Sequence, residues 1–220
     1  MTIGMILLVI TAILILLGVG QRILDRLRLN DKLALLFIAL IIGLGFVPDI
    51  RVSDVFSFNI GGAVIPLALC IYLWIRADTA WERVRAILAS LVTGGAVFAI
   101  GFLMPDEPEA IPVDPLIIYG IAAGLIAYIF GRSRRCAFIA GVVGMMISNT
   151  VNAIYVWSKG IDQELNLGGA GAFDGIVIAG LLGVLLAEIL GEIIERMKRG
   201  KKPPERKFKG GDFAKEGHGK

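Results

Sequence analysis

Few side chains in this 220-residue chain can do chemistry, and most types are excluded at once. A single histidine, His218, rules out Ser-His-Asp and Cys-His sites and any histidine-based metal site within the apolar body. Cys70 and Cys136 fall in separate apolar runs. They read as free small hydrophobes rather than a disulfide or a metal pair. No G-x-x-x-x-G-K-[ST] occurs, nor a G-x-G-x-x-G in a strand-helix context, so no nucleotide, no other cofactor and no nucleic acid is expected. Carboxylates, amides, hydroxyls and backbone groups remain.

Two segments share the pattern Asn-x-Gly-Gly-Ala: Asn59-Ile60-Gly61-Gly62-Ala63 and Asn166-Leu167-Gly168-Gly169-Ala170. Asn caps helix N-termini, and glycines there allow close backbone approach. The first N–H groups of a helix lack intrahelical partners, and the dipole is positive at that end. Two such ends side by side can bind an anionic or carbonyl group. The alternative is two capped helices whose glycines only turn the chain. The second copy runs on to Asp174, placed either to cap the last helix or to serve as a site acid. Upstream stand Ser148, Asn149, Thr150 and Asn152. Ser148/Asn152 and Asn149/Asn152 are spaced i,i+4 and i,i+3, so they share a broad face. Polar groups are costly against lipid, so this face is expected to turn into the bundle. There it meets Asp174 or serves as interhelical glue. Glu188 lies about four turns inward of Asp174 with no evident partner. It reads as part of an ion path or as a snorkelling acid. Glu192 and Arg196 are expected to pair at i,i+4.

The elements that must carry these groups follow from composition. The chain is 56% hydrophobic and 19% charged. Residues 194–220 hold 10 Lys/Arg and 4 Asp/Glu, against 12 and 15 in residues 1–193. A body this apolar has no polar surface to offer water, which excludes an ordinary soluble globule. Apolar runs fall at 3–19, 33–47, 60–75, 86–104, 115–131, 136–157 and 175–193. They lack the alternation of barrel strands, so the sequence predicts an all-α polytopic membrane protein with seven transmembrane helices. Linkers at 20–32, 76–85 and 131–135, together with the tail, carry 20 Lys/Arg; the alternate linkers carry only Arg51 and Lys159. The positive-inside rule then puts the N-terminus outside and the C-terminus in the cytoplasm. The first run reads as an uncleaved helix. Residues 1–195 are expected to form the membrane domain, and 196–220 a basic, disordered tail that anionic lipid can attract. Small residues recur at Gly175, Ala179, Gly183, Ala187 and Gly191, a face suited to close packing on Gly120 and Gly124 or to a homo-oligomer.

The two Asn-x-Gly-Gly-Ala entries fall at the same point of two three-helix sets, which suggests parallel repeats in a 3+1+3 arrangement. The stretch GGAGAFDGIVIAGLLGVLLA, with FNIGGAVIPLAL and GVVGMMISNTVN, resembles an uncharacterised family of bacterial and archaeal multi-span membrane proteins. That family carries a G-G-A-G-x-F-D-G segment at its last span. The resemblance implies a multi-pass protein of the prokaryotic cytoplasmic membrane and no particular activity. The family's acid in the preceding span is absent here, where Ser148-Asn149-Thr150-Val151-Asn152 stand. A fainter resemblance joins Gly169-Ala170-Gly171 and Asp174 to the G-x-G-D motif of signal peptide peptidases and presenilins. It would make Asp174 one acid of an aspartyl dyad, with Asp114 or Asp54 as the other. Three functions are therefore carried forward. The first is a small-solute or ion transporter or binding protein, with its site at the outer ends of runs 60–75, 136–157 and 175–193. The second is an intramembrane aspartyl protease or a relic of one. The third is a structural, partner-binding protein.

Overall fold

Backbone N–H and C=O groups in an apolar run must satisfy one another, and the helix does this within a single segment. A computed structural model describes residues 2–18, 21–27, 29–104, 115–169 and 172–199. Of these, 79% are helical, in eight α-helices. They are α1 (Ile3–Leu16), α2 (Gln21–Leu27), α3 (Asp31–Gly45), α4 (Ile65–Ile75), α5 (Ala80–Leu103), α6 (Pro115–Gly131), α7 (Arg134–Ser158) and α8 (Ala172–Arg199). A π-turn, Ile60–Val64, leads into α4.

Three helices are long and apolar enough to cross a membrane: Ala80–Leu103, Arg134–Ser158 and Phe173–Ile193. The other apolar runs give shorter helices than the predicted seven spans. With 14 residues, α1 is about 21 Å long against a hydrocarbon core of about 30 Å. It stops where Gly18 takes the left-handed conformation, with φ +75°. Segment 20–32, read from its charge as a linker, instead contains α2, because Leu24, Leu27 and Leu29 turn into the core. At the other end, α8 continues past residue 195 to Arg199, and residues 200–220 of the predicted tail lie outside the described residues.

The protein is not purely α-helical. Strands β1 (Ile50–Ser53), β2 (Phe56–Phe58) and β3 (Leu165–Leu167) form a small sheet in the order β1-β2-β3. β1 and β2 are antiparallel; β2 and β3 are parallel, with Ser57 opposite Asn166. Sheet pairing gives two non-helical segments partners for their backbone groups, and Leu167 C=O extends it by accepting from Asn59 N–H at 2.9 Å.

Small residues set the helix contacts. Gly94 of α5 meets Gly144 and Ile147 of α7. Gly120 and Gly124 of α6 meet Ile178 and Leu182 of α8. The small-residue face of α8 goes elsewhere: Gly175 meets Met145, Gly183 meets the Ala137 carbonyl, and Ala179 meets Gly141, all on α7. The same chain covers that face, so it is not open to a second copy as the sequence suggested. These contacts give the bundle two distinct ends. Asp49, the sheet and the starts of α1, α4 and α8 gather at one, the sheet end. Arg76, Glu82, Arg134, Arg135 and Glu188 gather at the other, the arginine end.

Candidate functional site

At the sheet end, the two Asn-x-Gly-Gly-Ala segments meet. Asn59 is 4% exposed. Its Oδ1 accepts from Gly62 N–H at 2.9 Å, the helix cap expected of it. Its Nδ2 donates to the Val47 carbonyl at 3.0 Å and to Asp49 Oδ1 at 2.9 Å. Asn166 Nδ2 donates to the other oxygen, Asp49 Oδ2. One carboxylate therefore joins two amides that lie 107 residues apart in sequence. Asp49 was absent from the predicted site, although an acid just past the apolar run 33–47 and ten residues before Asn59 is a readable signal. The Oδ1 of Asn166 is buried without a hydrogen-bond partner.

The two glycine pairs touch backbone to backbone. A Cβ on Gly62 would overlap the Gly168 carbonyl oxygen, and one on Gly61 would overlap the backbone of Gly45. A Cβ on Gly169 would overlap the Asn166 amide. The space that a ligand would need between these entries is filled by the entries themselves. Their conformations also differ. Gly168 has φ +73°, whereas Gly61 and Gly62 sit in the π-turn at ordinary φ.

Asp174 caps a helix, but not its own. Its Oδ1 accepts from Gly4 N–H at the start of α1, 3.0 Å away. This holds the first turn of α1 against the first turn of α8. Among the described residues, no second carboxyl group hydrogen-bonds with Asp174. Asp54 is exposed in the β1–β2 turn, and Asp114 lies outside the described residues. The polar face predicted on α7 is split. Ser148 is buried and Asn149 half-buried with its Nδ2 unpartnered, but Asn152 is exposed. Neither asparagine reaches Asp174 by a hydrogen bond.

Glu188 corrects the expectation of an unpaired acid, since Arg134 Nε donates to its Oε2. The two side chains are only 17% and 18% exposed. Sequence spacing within one helix could not show this partner, which comes from α7.

Below the sheet end lies a cavity of about 380 Å³ between α1–α3 and the α4, α7 and α8 faces. Leu8, Ile38, Ile41, Leu69, Ile176 and Val177 line it. Thr11 brings the one hydroxyl among its lining residues, and that group donates to the Leu7 carbonyl at 2.7 Å. Gly4 and Asp174 lie about one turn outward of Leu7 and Ile176, so their hydrogen bond closes the sheet-end side of the cavity.

A family described as a protein of unknown function, DUF1614, matches residues 5–186. The chain belongs to this family. No curated protein and no solved structure matches it. The DUF1614 match takes in Asp49, both asparagines, Asp174 and nearly all of the cavity lining; Glu188 lies just past its end. DUF1614 membership agrees with the uncharacterised family that the sequence suggested and names no activity.

Proposed function

We propose that this protein is a small-solute transporter or binding protein of the membrane, and that its solute is apolar. The cavity carries this reading. Close packing is the rule inside proteins, and leaving a space costs stability. A space of about 380 Å³ falls within the range of small-molecule sites, about 300–1,000 Å³. Its lining of Leu, Ile, Val and Phe offers an ion nothing to coordinate, and its hydroxyl is already bonded within α1. The polar groups at the sheet end hold one another and the backbone. We assign Asp49, Asn59, Asn166 and Asp174 to closing that end, and Gly61, Gly62, Gly168 and Gly169 to the tight packing that fixes it.

The test is photolabelling of the full chain in nanodiscs with a diazirine-bearing alkyl alcohol. Labels should map to Ile38, Ile176 and Val177, which are at most 9% exposed and out of reach of lipid around the bundle. They should disappear from those positions when Ala34→Trp fills the cavity. Labels confined to outward-facing residues in both proteins would defeat the reading.

We also propose that the shorter helices cross the membrane together with the three long ones, seven crossings in all, with the arginine end cytoplasmic. The excess of basic linkers at that end supports this orientation. Single cysteines at Ser53 and at Ser158, after removal of Cys70 and Cys136, should react with an impermeant maleimide on intact cells, and one at Arg132 should not. The reverse pattern would invert the orientation.

A further inference from the structure

α4 separates two apolar spaces. Pro66 and Leu69 face the cavity described above, while Leu67, Cys70, Ile71 and Trp74 wall a shallower groove. Ile87 and Leu91 of α5 form the other wall, and Ile139 and Val143 of α7 the floor. The groove measures about 210 Å³. Its one hydroxyl, on Ser90, donates to the Ala86 carbonyl of its own helix at 2.8 Å. Leu67, Ile71, Ile87 and Leu91 are exposed, so the groove opens sideways from the bundle, towards lipid.

The groove ends at Trp74, near the arginine end. The Arg83 guanidinium stands over the Trp74 ring, 5.8 Å from its centre. Its Nη2 donates to the Ile75 carbonyl at 3.3 Å, and its Nε is buried without a partner. One turn away, Arg76 stands over Tyr72 at 5.6 Å. Neither arginine is ion-paired within the described residues. The acids at this end are engaged elsewhere: Asp78 and Glu82 with Arg135, and Glu188 with Arg134. An apolar slot open to the bilayer therefore ends beneath two cations without counter-charge.

We propose that the groove is a binding site for one anionic phospholipid, with an acyl chain along α4 and the phosphate between Arg83 and Arg76. Arginine offers phosphate a planar fork of donors, and a tryptophan at this depth suits the headgroup boundary. Any lipid tail fits the slot; the two charges choose the headgroup. Each arginine near an anionic lipid contributes about fivefold to its binding.

Trp81→Phe and Trp157→Phe leave Trp74 as the only tryptophan of the three. In nanodiscs of ordinary phosphatidylcholine, acyl-brominated phosphatidylglycerol and acyl-brominated phosphatidylcholine are each titrated as minor components, with Trp74 fluorescence as the readout. The anionic lipid should quench at a mole fraction about twentyfold lower. Arg76→Gln with Arg83→Gln should remove that difference while leaving quenching by phosphatidylcholine unchanged, which also reports that Trp74 has not moved. Filling the floor with Val143→Phe should weaken quenching by both lipids. Equal quenching by the two lipids in the protein with both arginines would overturn the proposal. So would a preference that survives loss of both.

Discussion

Gly62→Ala will destabilise the protein by about 3 kcal/mol, the upper range for overpacking a filled site. The added Cβ would overlap the carbonyl group of Gly168, and neither side can yield cheaply. Gly62 belongs to the π-turn capped by Asn59, and Gly168 is held in left-handed geometry beside a strand hydrogen-bonded to β2. Both partners are backbone, so rotamer adjustment cannot relieve the contact. Gly95→Ala is the matched control. A Cβ there meets nothing within 4 Å, and alanine suits a helix interior better than glycine. Thermal unfolding of purified protein in one detergent should show a large drop in Tm for the first change, and none or a small rise for the second. Equal behaviour would mean that the two loops do not interlock.

The second large effect is expected at the opposite end. The Arg135 side chain is 9% exposed. It donates to the Arg76 carbonyl at 2.7 Å and pairs with Asp78 and with Glu82, the latter at 3.6 Å. It thus ties the start of α7 to the end of α4 and to the α4–α5 turn. Glu82 is further engaged by the Ser133 hydroxyl at 2.8 Å and by Asp78 N–H at 3.0 Å. Arg135→Met leaves two carboxylates facing each other without the cation, at a cost of about 3 kcal/mol. Arg135→Lys keeps the charge but not the fork of donors, and should recover only part of the loss. Arg132→Met, at an exposed neighbouring position, should stay within about 0.5 kcal/mol of the parent protein. The same detergent unfolding assay separates the three. Parity of Arg135→Met with Arg132→Met would show that the cluster contributes nothing to stability.

Local physics was readable along the chain. Each apolar run became a helix, because a buried backbone has few other ways to satisfy its own donors and acceptors. The recurrence of Asn-x-Gly-Gly-Ala marked two places where backbones come very close, and they come close to each other. Glycine and alanine at fourfold spacing marked α8 as a tightly packed helix. Arginines placed in alternate linkers gathered at one end of the bundle.

Partners across the fold were not readable, because each depends on distant segments arriving in one register. Asp49 looked like a linker residue until β2 and β3 paired and brought Asn166 beside it. Glu188 looked unpaired because its cation sits on α7, 54 residues earlier. Asp174 looked like a cap for its own helix, yet a neighbour's free N–H lay within reach of its carboxylate. Asn152 shares a helical face with Asn149 and Ser148, but α7 is rotated so that only part of that face is covered. The sequence by itself determined which segments are helical and which surfaces are small, charged or apolar, since those follow from each residue's own solvation and its neighbours within a turn. The tertiary structure alone decided which small face met which helix and which acid found which donor. It also decided that a cavity remains between α1–α3 and α8. Packing geometry among helices far apart in sequence sets all three, and no local pattern encodes it.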